Sequence, residues 1–155
     1  MTSNPVFGNP MVVAIFVYMK KWLSVALLVV LLGSCSKDET NDIAQYYVDF
    51  TLYLNEPSCV DLTVVGGWMY VNAGTKGIII YRKSTTEFAA SERNCTYDPT
   101  ANCSIVEVLS GISAIDSCCT SRFSIFDGSV INGPATKPLY QYRTLFDGNA
   151  LRIYN

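Results

Sequence analysis

Leu139-Tyr-Gln-Tyr-Arg-Thr-Leu-Phe-Asp-Gly-Asn-Ala-Leu-Arg-Ile-Tyr154 reads as a β-hairpin at the C-terminus. Two runs of aromatic and branched residues flank Asp147-Gly148-Asn149, the residue types that reverse a strand. The same grammar continues upstream. Arg122-Phe-Ser-Ile-Phe126 leads through the turn dipeptide Asp127-Gly128 into Ser129-Val-Ile-Asn132. Ser104 to Leu109, Glu87 to Ala90, Gly77 to Arg82, Trp68 to Val71, Asp61 to Val65 and Tyr47 to Leu54 are further strand signals, each closed by Gly, Asn, Pro or Ser. No amphipathic helical period stands out between 46 and 155. Many short strands with frequent turns predict an all-β antiparallel sandwich or barrel.

The N-terminus has a different character. Lys20-Lys21 precede the apolar run Trp22 to Leu32, and Gly33-Ser34-Cys35 follow. A basic region, an apolar run and small residues before a cleavage point define a secretory signal over 1–34. That run is about half of the ~20 residues needed to span a bilayer. Met19 lies just before the lysines, so 1–18 fall upstream of a second start site. Leu32-Gly-Ser-Cys35 resembles the lipobox of bacterial lipoproteins, which implies cleavage before Cys35 and acylation of its thiol. Ser36-Lys-Asp-Glu39 resembles the export tag of Bacteroidetes surface lipoproteins. The implied location is the outer membrane, lipid-anchored, on its periplasmic or cell-surface side. Residues 35–45 then form a lipidated tether and 46–155 the folded domain.

Cleavage removes two of the 11 basic residues and none of the 13 acidic ones, so the mature chain carries a formal charge of −4. This excludes a nucleic-acid partner that depends on a basic patch. The membrane, through the lipid, and an envelope protein are the expected partners. No histidine is present, which excludes Ser-His-Asp and Cys-His catalysis. No catalytic residue is assigned. Asp98 and Asp116 flank the cysteine loops as turn residues that cap backbone amides. Trp68, Tyr70, Tyr97, Tyr140 and Tyr142 are candidates for a binding face, or alternating strand positions.

Besides Cys35, five cysteines remain: Cys59, Cys95, Cys103, Cys118 and Cys119. Cys59, near a strand start, reads as a small buried apolar residue or as a link to another chain. The other four sit on two segments, Arg93-Asn-Cys95 to Cys103 and Asp116-Ser-Cys-Cys119. In an oxidising compartment they read as two disulfides tying the segments together. A vicinal Cys118–Cys119 bond is strained, so pairs across the segments are favoured, but spacing alone leaves the pairing open. Two other readings stand beside this: a metal or [2Fe–2S] centre held by thiolates, although the spacing matches no usual zinc pattern, and a redox dithiol. The last lacks a Cys-x-x-Cys motif, with only Arg93 or Arg122 available to favour a thiolate.

Cys119-Thr-Ser-Arg-Phe-Ser-Ile-Phe-Asp-Gly-Ser-Val-Ile-Asn-Gly-Pro-Ala-Thr-Lys-Pro-Leu139 resembles the second half of a Rieske domain. Ser121-Arg-Phe123 and Gly133-Pro-Ala135 fall in register with it. Gly77 to Arg82, Glu87 to Ala90 and Arg93-Asn-Cys95 are similar to the strands leading into that family's first ligand segment. The resemblance spans about residues 64–155 and implies a Rieske-like fold. It sets Cys95 at the first cysteine ligand, Tyr97 at the first histidine, Asp116 at the second cysteine and Cys119 at the second histidine. Cys103 and Cys118 approximate the disulfide that joins the two loops in many members. A Rieske cluster takes two cysteines on one iron and two histidines on the other, and this chain supplies no histidine. The expectation is therefore an envelope lipoprotein with no cofactor, its cluster site replaced by disulfides among Cys95, Cys103, Cys118 and Cys119. The alternative is an electron-transfer protein with an atypical [2Fe–2S] or thiolate metal centre.

Overall fold

A computed structural model describes residues 46–155. The expected signal peptide, lipidation at Cys35 and tether lie outside those residues. The described chain is all-β and antiparallel. Its strands are β1 (Asp49–Tyr53), β2 (Trp68–Val71), β3 (Ile78–Arg82), β4 (Phe88–Glu92), β5 (Val106–Ser110), β6 (Ser113–Asp116), β7 (Arg122–Ser124), β8 (Val130–Asn132), β9 (Gln141–Phe146) and β10 (Ala150–Tyr154). One sheet runs β1-β10-β9-β4-β3-β2, and a second runs β5-β6-β7-β8.

The C-terminal hairpin forms as its sequence predicts. Asp147 Oδ1 accepts from the Asn149 and Ala150 amides at 3.0 and 2.7 Å, which closes the turn. Leu151 and Ile153 are buried while Arg152 faces out, the alternation of a strand with one wet face. Arg152 then pairs with Asp49 across the β1–β10 ladder.

Strands β3 and β4 have no wet face. Ile78 and Ile80 join Leu62, Phe88, Leu151 and Ile153 in one apolar cluster. Ile79 and Tyr81 join Val106, Ala114, Phe123, Ile125 and Leu139 in another, which welds the two sheets. Unbroken apolar runs such as Gly77-Ile-Ile-Ile-Tyr81 suit a strand covered on both sides.

Two expectations change. The run from Asp61 to Val65 is not a strand; its first residues finish a 3-10 helix, Pro57–Thr63. Pro57 presets the first turn, and the Arg82 guanidinium caps the far end through the Leu62 and Thr63 carbonyls at 2.8 and 3.0 Å. The run from Arg122 to Phe126 is extended only to Ser124, because the Gly128 amide closes back on the Ser124 carbonyl at 2.8 Å. Gly128 has φ +75°, and a Cβ there would stand 2.3 Å from the Gln141 amide nitrogen, so only glycine fits this turn.

Phe123 is fully buried on β7 between the sheets. Phe123→Ala is expected to cost about 3–5 kcal/mol, measured by chemical denaturation; a loss below about 1 kcal/mol would contradict the placement of this core.

Candidate thiol and carboxylate site

The site is built where two loops meet at one end of the second sheet. The first loop joins β4 to β5. Its base is closed by a bridge between Asn94 and Ile105 and by the Cys95 amide on the Ser104 carbonyl at 3.4 Å. Its far side is held by Lys76, whose ammonium donates to the Ala101 carbonyl and, at 3.1 Å, to that of Ser104. The start of the loop is fixed through Glu92. This carboxylate is fully buried at the end of β4. It accepts from the amides of Thr75, Lys76 and Asn94 at 2.9, 2.9 and 3.2 Å and from the Tyr142 hydroxyl at 2.7 Å. Four donors satisfy a buried charge that would otherwise be costly. Burial and the neighbouring carboxylate push the Tyr142 phenol well above its ordinary range, so it remains a donor.

The second loop joins β6 to β7. Asp116 ends β6 and is 1% exposed. Its Oδ1 accepts from the Cys118 amide at 2.7 Å, and its carbonyl accepts from the Thr120 amide at 2.7 Å. Thr120 turns the chain with φ +64°, a left-handed conformation that costs a β-branched residue about 1–2 kcal/mol. That reversal brings Cys119 and Ser121 back over Asp116.

Cys103 and Cys118 are paired as a disulfide and tie the two loops together. Cys95 and Cys119 are not a second crosslink: both stand as thiols with their sulfurs 3.6 Å apart. The turn explains this, because it aims Cys119 at its own strand end. Its single S–H faces two acceptors, Asp116 Oδ2 at 3.3 Å and Ser121 Oγ at 3.0 Å, and its sulfur accepts from the Ser121 amide at 3.5 Å. Ser121 Oγ also accepts from the Ala135 amide at 2.9 Å, so the segment Gly133-Pro-Ala135 closes over the site. Thr96 Oγ1 reaches the Lys137 carbonyl at 2.6 Å and fastens the first loop to that segment.

Three donor groups therefore converge. The sulfurs of Cys95 and Cys119 and a carboxylate oxygen of Asp116 lie within 4.8 Å of one another. Tyr97 does not share their burial; its side chain is 53% exposed. Three donors do not fit a [2Fe–2S] cluster, which takes four, two on each iron. Asp98 is exposed and caps its own turn through Thr100 at 2.8 Å. Arg93 is engaged elsewhere, on the Val106 carbonyl at 2.9 Å, over the Tyr70 ring at 4.0 Å and beside Glu107 at 3.8 Å. Arg122 is exposed. Cys59 is a fully buried free thiol within the 3-10 helix.

The aromatic residues do not form one face. Trp68 and Tyr70 pack edge to face at 5.0 Å, and Tyr140 and Tyr142 make a separate pair at 5.0 Å. Trp68 and Tyr70 border an open groove of about 670 Å³ with Val60, Val64 and Met69. Ser121, Lys76 and Glu92 are the functional neighbours that sequence reasoning missed. Ser121 begins the stretch Ser121-Arg-Phe123, but nothing in its spacing announces a bond to Cys119. No family model matches this chain, and no curated protein sequence matches it.

Burial, and then the Asp116 carboxylate, push the Cys95 thiol up to about 12, against a smaller opposing bond from the Tyr97 amide. The folded protein thus holds this proton more tightly than the unfolded chain does, and the associated stability falls as pH rises from about 9 towards about 12. Near neutrality Cys95 is a thiol, and thiols alkylate slowly. With iodoacetamide at pH 8 after chelator treatment, peptide mapping is expected to show Cys119 labelled well before Cys95. Equal rates would contradict the difference in burial.

Proposed function

We propose that this chain is a lipid-anchored cell-envelope protein whose Rieske-like domain serves binding or assembly and carries no iron–sulfur cluster. The observation that carries the second half of this reading is the donor set. At the positions where the resemblance sets four ligands stand Cys95, Tyr97, Asp116 and Cys119, and the chain has no histidine. Two loop anchors, the Cys103–Cys118 crosslink and the fully buried Glu92, support a domain kept rigid without a cofactor. The groove bordered by Trp68 and Tyr70, with Val60 and Val64 exposed beside it, supports an envelope protein as partner. The anchor rests on the basic region, the apolar run and Leu32-Gly-Ser-Cys35, and an outer-membrane location rests on Ser36-Lys-Asp-Glu39.

A second reading, electron transfer through an atypical [2Fe–2S] or thiolate centre, is favoured only by the convergence of Cys95, Asp116 and Cys119. Anaerobic purification separates the two. The first reading expects a colourless protein with negligible iron. Strong visible bands with two irons and two sulfides per chain would overturn it.

The anchor has its own test. Cys35→Ser, expressed in a Gram-negative host that processes lipoproteins, is expected to lose acylation and keep its signal uncleaved by the lipoprotein peptidase. Mass spectrometry of the N-terminal peptide reads both. An unchanged mature N-terminus would overturn the anchor.

A further inference from the structure

Asp116 poses a problem of charge. Its carboxylate is 1% exposed and accepts one backbone bond, from Cys118. Among the described residues no lysine or arginine pairs with it; the ion pairs are Arg93 with Glu107 and Arg152 with Asp49. Its remaining neighbours are the two thiols. A buried carboxylate without a countercharge is costly. Glu92, by contrast, is met by four donors in the same domain. Oxidation of Cys95 and Cys119 to a disulfide would remove the thiol donors facing Asp116 and leave it still less satisfied. A cation bound between all three groups would answer the charge directly.

The distances suit such an ion. Two sulfurs bound to one tetrahedral ion at about 2.3 Å each lie about 3.8 Å apart, and a sulfur and a carboxylate oxygen on that ion lie about 3.6 Å apart. Cys95 and Cys119 are separated by 3.6 Å, and Cys119 and Asp116 by 3.3 Å. The sulfurs also carry the supporting bonds that tune metal thiolates: the Tyr97 amide on Cys95, and the Ser121 amide on Cys119 at 3.5 Å. We propose that Cys95, Cys119 and Asp116 bind a single thiophilic divalent cation of the zinc class, with a fourth coordination position open to solvent beside half-buried Cys119.

The chemistry selects the ion. Two thiolates prefer zinc-like cations to magnesium or calcium. Binding converts two thiols to thiolates and releases two protons, and no oxidant or reductant is involved. Two thiolates and one carboxylate around a divalent ion leave one net negative charge, which the two amide donors face. Three protein ligands make the site open, unlike a closed four-ligand structural site. The site is mononuclear and so does not rest on the cluster-free reading, although a cluster would overturn both.

Cobalt(II) is the probe. The full chain, purified without reductant and treated with chelator, is titrated anaerobically with Co(II), and zinc is measured in untreated protein. One equivalent is expected to produce sulfur-to-cobalt bands in the near ultraviolet and tetrahedral d–d bands, both displaced by one equivalent of Zn(II). Cys119→Ser and Asp116→Asn are each expected to weaken Co(II) binding by about tenfold or more, while Cys59→Ala leaves it unchanged. Far-ultraviolet circular dichroism and the intact Cys103–Cys118 disulfide serve as checks on folding, and Cys119→Ser, at a half-exposed position, tests the proposal if Asp116→Asn fails to fold. Absence of thiolate bands while Cys95 and Cys119 are free would overturn the proposal. So would an intact mass showing those two cysteines bonded as purified, an outcome that leaves the cluster-free reading standing. Two irons with sulfide would overturn both.

Discussion

Every other feature depends on β3 and β4 being covered on both faces. Ile78 and Ile80 point into one apolar cluster, and Ile79 and Tyr81 into the other. A fully buried side chain of this size contributes about 1.5–3 kcal/mol, so these four residues couple two cores that would otherwise be independent. Because β4 is paired on both edges, to β3 and to β9, its end is a fixed point. Glu92 is that end, and its bonds to Thr75, Lys76 and Asn94 carry the rigidity of the sheet into the first cysteine loop. Cys95 is placed, three residues later, by the core and not by the loop alone.

The second loop reaches the same point from the other sheet. Ala114 and Phe123 face the shared core from β6 and β7, so the turn between those strands starts from a fixed base. Thr120 accepts a left-handed conformation there. The surrounding bonds hold it: Asp116 accepts from Cys118 and Thr120, and the Asp116 amide donates to the Ser121 carbonyl at 2.9 Å. Strain held in place this way is characteristic of positions whose orientation matters more than their local stability. What it orients is the Cys119 sulfur.

Sequence pattern made the strands legible wherever it was long and rich in branched or aromatic residues. The hairpin over Gln141–Tyr154, the run Ile78–Arg82 and the Asp127-Gly128 turn all lie where the residues place them. Strand β6 escaped because Ser-Ala-Ile-Asp is four residues with a single large apolar side chain, too short for alternation to register. Asp61 to Val65 misled because its apolar residues serve the core from a 3-10 helix, where Leu62 is buried while Val64 and Val65 are exposed. The two cysteine loops were legible as loops. Spacing left their pairing open, because four cysteines on two segments admit three connectivities. The resemblance implied Cys103 with Cys118, and those two are joined, whereas the expected second crosslink between Cys95 and Cys119 is absent, beside a turn at Thr120 that no pattern announces. The burial of Asp116 was equally hidden, since an aspartate at the end of a short strand reads first as a turn cap, which it also is.

The contrast between the two carboxylates that end strands bears most on function. Glu92 and Asp116 are equally buried and each caps a loop that leads to a cysteine. Glu92 is surrounded by three amides and a phenol, a set of donors that needs no further partner. Asp116 is given one amide and two thiols. Thiols are weak donors, so the same carboxylate burial is compensated far less well, and the shortfall sits where both sulfurs are 3.6 Å apart. The Cys103–Cys118 crosslink already joins the loops, so Cys95 and Cys119 are released from that task. A protein that needed only rigidity here would be served as well by apolar side chains in place of Asp116 and the two thiols. The retention of an acid and two soft donors in one buried space is better matched to holding an ion than to holding the fold.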